Sequence, residues 1–394
     1  MTLPSYDIVI VGGRVAGSAT AISLARSGYS VLLLERDRMP SDTLSTHVIW
    51  PDGLAALDRL GLLEHVLATG APLAHHFRLC RGVESIETAL IPYDDAGRFD
   101  ALLCVRRHLL DGILWDAAAS TPGVEVRDRT TARRLRWEGK RVVGVEISGP
   151  AGDETVDASL VVGADGRGSL VARQVGAVER DIVPAGRYWY YGYFEGARLP
   201  DPPALLESDT ETDTVVAMAT NDGLLMVILG AYNEDFDVFR KDHHANYLAG
   251  VDAHACIAER LDGASLAEPV RGIAGVRGYY RQAWGSGWAL VGDAAHQMDP
   301  LVARGVSEAL RGAEWLAGAL SGGATDDALA SYEATLRERT WSKALNARML
   351  SRPDQHMTAE QAAKLSAETV TPEGLAGYLL LEYSDDLTFD EYFS

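Results

Sequence analysis

The sequence predicts an α/β protein built on a parallel sheet, with a mixed β-sheet formed by an inserted part of the chain. Three observations support this. Residues 7–11 (Asp-Ile-Val-Ile-Val) are a nearly continuous β-branched run that stops at a glycine-rich turn, Gly12-Gly13-Arg14-Val15-Ala16-Gly17. A second apolar run ends at Gly163-Ala164-Asp165-Gly166, and a third, residues 288–291, ends at Gly292-Asp293. Such runs suit strands buried on both faces of a parallel sheet.

The first element is the most legible. After the turn, apolar residues recur at helical spacing (Ala21, Leu24, Ala25), Gly28 stops the helix, and residues 31–34 form the next strand, giving a β-α-β unit. In such a unit the first glycine permits the tight turn, and the unpaired N–H groups of the helix start suit a pyrophosphate. Glu35 lies 18 residues beyond Gly17 at the end of the second strand. A carboxylate there accepts hydrogen bonds from ribose hydroxyls of a dinucleotide. Arg14 stands where the usual pattern has its middle glycine, and its guanidinium is expected along a phosphate or in solvent.

Next come residues 124–148, which alternate and reverse as a β-meander with turns at Gly139 and Gly149. The segment around Asp165-Gly166 is followed by Ser169 and Arg173. A helix is expected from about residue 305 to 320, fed by the loop that starts at Pro300. Further helices are expected over residues 326–349 and 359–369, then an acidic aromatic tail.

Composition narrows the function. The 394 residues allow two domains, and 47% hydrophobic with 23% charged residues is ordinary for a globular protein. A net charge of -20 disfavours nucleic acid and anionic membrane surfaces. No apolar run reaches the ~20 residues of a bilayer-spanning helix. Cys80, Cys104 and Cys256 are odd in number and widely spaced. They read as reduced thiols, and with no leader-like N-terminus the expected location is cytoplasmic. Scattered His and Asp residues show no metal-ligand spacing.

The three glycine motifs, in this order, resemble the FAD-dependent monooxygenases of the aromatic hydroxylase type, which are related to geranylgeranyl-reductase-like flavoproteins. The resemblance implies a Rossmann-like FAD-binding domain of the glutathione-reductase-2 type beside a mixed β-sheet substrate domain. It divides the chain into an FAD domain (1–73 with 100–180 and 275–350), a substrate sheet (74–99 with 181–274) and a helical C-terminal segment with the acidic tail (351–394). FAD contacts are then expected at Gly12, Gly13, Arg14, Val15, Ala16 and Gly17, at Glu35 and Arg36, and at Ser45, Thr46 and His47. Arg107, which opens a helix at the family's spacing, Asp165 and Gly166 join them. So do Gly292, Asp293, Pro300, Ala303, Arg304, Gly305 and Val306, with Asp293 on the ribityl chain and the helix start near Gly305 at the flavin's pyrimidine edge. Ala303 replaces a glycine of the family pattern.

The implied reaction reduces FAD with NADPH or NADH, or through a separate flavin reductase. Dioxygen then gives a C4a-peroxyflavin that hydroxylates or epoxidises a small organic substrate, aromatic or polyketide-like. His47 is a candidate for moving a proton. In residues 188–194 (Tyr-Trp-Tyr-Tyr-Gly-Tyr-Phe), Tyr191 and Tyr193 share a face that can line a substrate pocket or simply pack the sheet. His296 reads as a packing residue. A reductase of prenyl or other C=C bonds is the alternative, and a non-catalytic flavin-binding protein comes third. Halogenases of this scaffold use an early lysine and a Trp-x-Trp-x-Ile-Pro segment, whereas the first lysine here is Lys140 and no such segment exists. The oligomeric state is left open.

Overall fold

A computed structural model describes residues 4–41, 47–82, 84–94, 96–383, 385, 387–388 and 391. Its first sheet runs in the order Trp284–Gly285, Trp288–Leu290, Gly152–Gly163, Ser5–Val11, Val31–Leu34 and Val124–Arg127, with Thr131–Glu138 and Arg141–Gly149 as an antiparallel extension. All but the first of the six pair in parallel. Ile8, Val9 and Ile10 are fully buried, which is why this strand does not alternate. Its helix, Val15–Arg26, packs against Gly305–Ala319 and Arg107–Ser120.

Strand register places the three motifs together. Val11 pairs with Gly163, and Gly163 pairs with Leu290, so the strands end in one row. The Ala164 amide donates to Val11 O at 2.8 Å, and the Val291 amide to Gly163 O at 2.9 Å. Carboxyl ends of parallel strands are where such sheets bind ligands. The first turn is shaped by the second motif: Gly12 has φ +105°, and a Cβ there would stand 2.4 Å from Ala164 O.

The second sheet runs Ser265–Leu266, Arg187–Glu195, Leu225–Tyr232, Asp213–Ala219, Ala204–Asp209, His76–Arg81 and Glu84–Ala89, with Arg271–Ile273 also paired to Arg187–Glu195. Alternation on Arg187–Glu195 sends Trp189, Tyr191 and Tyr193 into one apolar core and Tyr188 and Phe194 into another, which includes Phe239, Tyr247 and Val251.

Two expectations are corrected. Cys80 and Cys256 form a disulfide, leaving Cys104 buried as the free thiol. The paired cysteines are 176 residues apart in sequence and meet because the strand His76–Arg81 and the helix Ala255–Ala258 adjoin the same neighbouring strand, so spacing concealed the pair. A further helix, Pro372–Tyr383, also stands where the acidic aromatic tail was expected to begin, and it buries Leu375, Leu379 and Leu381. No helix of the described residues is long and apolar enough to cross a membrane.

Candidate active site

The row of strand ends opens into a cleft of about 580 Å³ between the first sheet and the Trp189 face of the second. Its first wall begins at Glu35. The Glu35 carboxylate accepts from the Gly13 amide at 2.8 Å and from the Asp37 amide at 3.0 Å, and each oxygen keeps further acceptor capacity. The helix Val15–Arg26 starts beside it with no side-chain cap, so its first N–H groups face the cleft at Val15 and Ala16. Gly305–Ala319 also starts uncapped on this cleft, at Gly305 and Val306. Nothing lies within 4 Å of where a Gly305 Cβ would be.

Arg14 lines the cleft and is mostly withdrawn from solvent. Its guanidinium pairs with Asp37 at 3.1 Å and with buried Asp111 at 3.4 Å, while Arg107 holds Asp111 from one helical turn earlier at 2.9 Å. One carboxylate therefore fixes both arginines at the cleft edge. Arg36, largely exposed, also lines it. Gly12 lines the cleft, whereas Gly13 and Gly17 do not: added Cβ atoms would meet the Trp115 ring at 2.4 Å and Gly12 O at 1.7 Å.

Asp165 is oriented by the short helix Leu170–Val175. One carboxylate oxygen accepts from the Leu170 amide at 2.6 Å and the Val171 amide at 3.3 Å, while the other is buried with no partner among the described residues. Burial raises its pKa. Gly166, in the turn that follows, has φ +74° and lines the cleft. Gly292 and Asp293 line it too, and burial raises the Asp293 pKa against the pull of Arg167, Arg107 and Arg281.

The loop after the third motif carries one group that sequence reading passed over. Asp299, 7% exposed, accepts from the Leu301 amide at 3.0 Å, and burial pushes its carboxyl up to about 6. His296 stacks on Tyr280 with 4.4 Å between centroids, and its Nε2 is buried without a partner among the described residues. Burial lowers this imidazole to about 4, so it is neutral at physiological pH. Pro300 and Ala303 line the cleft, Ala303 in the left-handed conformation at φ 49°.

Arg304 lies at the cleft but is committed inward. It pairs with Asp52 and, at 2.9 Å, with Glu308, while Arg311, Lys343 and Asp385 complete a buried cluster of three cations and three anions. Despite burial, Arg304 and Arg311 hold the Asp52 carboxyl well below its ordinary pKa.

On the far wall, Tyr191 and Trp189 line the cleft, whereas Tyr193 does not. The Tyr193 hydroxyl is instead 2.7 Å from His47 Nε2, and His47 is fully buried behind the wall, edge-on to Tyr191 and Tyr193. Ser45 and Thr46 lie outside the described residues. The signal for Trp189 was present in its two-residue offset from Tyr191; Asp299 had no comparable signal, because a carboxylate before a proline looks like any loop residue.

Residues 5–188 match the family model described as FAD binding domain. The match assigns residues 5–188, just under half of the chain, to an FAD-binding domain. Among its curated relatives, 6-methylpretetramide 4-monooxygenase of Streptomyces rimosus is 35% identical over 174 residues, 43% of this chain and 40% of that protein. Digeranylgeranylglycerophospholipid reductase 2 of Methanopyrus kandleri is 26% identical over 342 residues, 77% of this chain and 74% of that one. The chain spans about half the length of the first curated relatives it matches. The myxobacterial chondrochloren halogenase CndH has the same fold, with a TM-score of 0.78 at 22% identity over 97% of both chains.

The cleft fits FAD on its own chemistry. It offers a carboxylate at one end, one uncapped helix start beside it and another farther along, and open space over Gly305.

Proposed function

We propose that this flavoprotein is an FAD-dependent monooxygenase that takes electrons from NADPH or NADH and inserts one oxygen atom of dioxygen into a small organic substrate. One observation carries the reading: the uncapped start of Gly305–Ala319 and the aromatic wall of Trp189 and Tyr191 line the same cleft. Bound FAD supplies the redox chemistry and the activation of oxygen. The chain's residues do the rest. Glu35 and the start of Val15–Arg26 hold the dinucleotide, with Arg14 and Arg107 fixed at its edge by Asp111. The Gly305 helix start stabilises negative charge on a reduced ring. Trp189, Tyr191 and Ile228 exclude water from the substrate side.

A second reading, reduction of a C=C bond, is supported by the reductase relative, whose match extends over 342 residues. One experiment separates the two. The purified protein is given NADPH under air and under argon with aromatic, polyketide-like and prenyl substrates, and products are weighed by mass spectrometry. Oxygen-dependent turnover with a product heavier by one oxygen atom supports the monooxygenase. Anaerobic turnover with a product gaining hydrogen supports the reductase, and a protein that takes up no FAD overturns both.

A further inference from the structure

The far wall carries a polar atom that the protein leaves unpaired. Trp189 is 5% exposed, and its indole Nε1 has no hydrogen-bond partner among the described residues. Buried indole N–H groups usually find an acceptor, because an unmade hydrogen bond is costly away from water. Trp50, equally buried, obeys this rule by donating to Val302 O at 3.1 Å. Trp189 is held in place by its surroundings. Its ring lies over Gly230 of the neighbouring strand, where a Cβ would stand 2.2 Å from the ring.

The neighbours of Trp189 define what can meet it. Ile273 is paired with Trp189 across one strand boundary and Ile228 with Tyr191 across the other, and all four line the cleft. Cleft residues drawn from 189–276 include no charged side chain. Arg187, one strand turn away, is spent on Ser351 O at 3.2 Å and on Thr214 and Gly230 O at 3.3 Å. His296 is neutral, and Asp299 opposes an incoming anion. A carboxylate-bearing substrate finds no counter-ion on this wall, whereas an uncharged ring needs none.

Building on the reading of this cleft as the flavin and substrate site, we propose that it takes an uncharged, planar, multi-ring substrate bearing a carbonyl group, and that Trp189 Nε1–H donates to that carbonyl oxygen. Trp189 is then a positioning and specificity residue. An indole N–H can only donate, so the ligand atom opposite it must accept. The apolar faces of Tyr191, Ile228 and Ile273 take the rings, and the single hydrogen bond fixes which ring edge faces the Gly305 helix start.

The test uses three probes that share one ring system: fluorene, fluorenone and a fluorenone carboxylate. Binding to the full-length, FAD-loaded protein is read by titration calorimetry, which needs no turnover, and FAD content by visible absorbance. Wild-type protein is expected to bind fluorenone about tenfold more tightly than fluorene, the worth of one hydrogen bond, and to bind the carboxylate most weakly. Trp189→Phe, which keeps an aromatic ring and removes the N–H, should bind fluorene and fluorenone equally while retaining FAD. Tyr191→Phe should keep the preference. Equal wild-type affinities overturn the proposal, as do a Trp189→Phe variant that still prefers fluorenone, tightest binding of the carboxylate, or no binding of any probe. If Trp189→Phe does not fold, the wild-type ratio decides alone. A protein that takes up no FAD yet shows the preference refutes the proposed function and leaves this inference standing.

Discussion

Glu35 and Gly13 are joined by a hydrogen bond of 2.8 Å from the Gly13 amide to the Glu35 carboxylate. The bond locks the end of the second strand to the glycine turn and aims the carboxylate along the cleft. Glu35→Ala removes both the lock and the acceptor proposed for ribose. Its FAD affinity should fall by about 1.5–3 kcal/mol, the worth of hydrogen bonds to a charged group, when apo-protein is titrated with FAD. Unchanged affinity would dissociate Glu35 from the cofactor.

Two glycines of similar sequence role should respond in opposite ways. A Cβ on Gly17 would stand 1.7 Å from Gly12 O, so Gly17→Ala cannot keep the first turn and should yield little soluble protein. A Cβ on Gly305 meets nothing within 4 Å. Gly305→Ala should therefore fold with native circular dichroism but retain less FAD on gel filtration, because the added methyl enters the space assigned to the flavin. A variant that keeps full FAD content would move the ring away from this helix start.

The cluster around Asp52 should be costly to break. Asp52 pairs with Arg304 and, at 3.0 Å, with Arg311, and all three are buried. Asp52→Asn leaves two guanidinium groups short of a counter-charge and should lower unfolding free energy by about 3–5 kcal/mol in a denaturant titration. A change below about 1 kcal/mol would mean that Glu308 and Asp385 carry the neutralisation alone.

Asp299 gives a pH signature. Burial raises its carboxyl from 3.8 to about 6, so the folded state holds the proton more tightly than the unfolded chain does. Its contribution to stability is complete below the unfolded pKa and is lost as pH rises through about 6. Relative to Asp299→Asn, which keeps the turn's acceptor, wild-type stability should decline by on the order of 2 kcal/mol between roughly pH 4 and pH 7. His296 in the same cleft has the opposite sign, losing its contribution as pH falls toward about 4, so the comparison with Asp299→Asn is what isolates the carboxyl. A flat difference across that window would show that Asp299 titrates normally.

The parts of the site that lie on the backbone were legible in the sequence. Unbroken β-branched runs ending in glycine mark buried parallel strands, and three such ends at Gly12, Ala164 and Gly292 are what the register brings into one row. Side-chain commitments were not legible. Nothing local to Arg14 tells that Asp37 and Asp111 capture it, and nothing local to Arg304 reveals Asp52, which is 252 residues away. The same holds for Tyr193, whose two-residue spacing from Tyr191 fixes its face but not its burial behind the wall with His47. Local periodicity reports which side of an element a residue is on; ion pairs between distant segments depend on packing that no single stretch encodes.

The common row of Val11, Gly163 and Leu290 also sets when the cofactor site can exist during synthesis. A nascent chain acquires Glu35 and the first helix start early, but Gly292, Asp293 and the Gly305 helix start emerge more than 250 residues later. Early segments of the parallel sheet must therefore wait, with a strand position unfilled between ribosome and solvent, for residues 288–290 to dock beside residues 161–163. FAD uptake must await residues 288–305, and translation arrested before that strand should leave a colourless product.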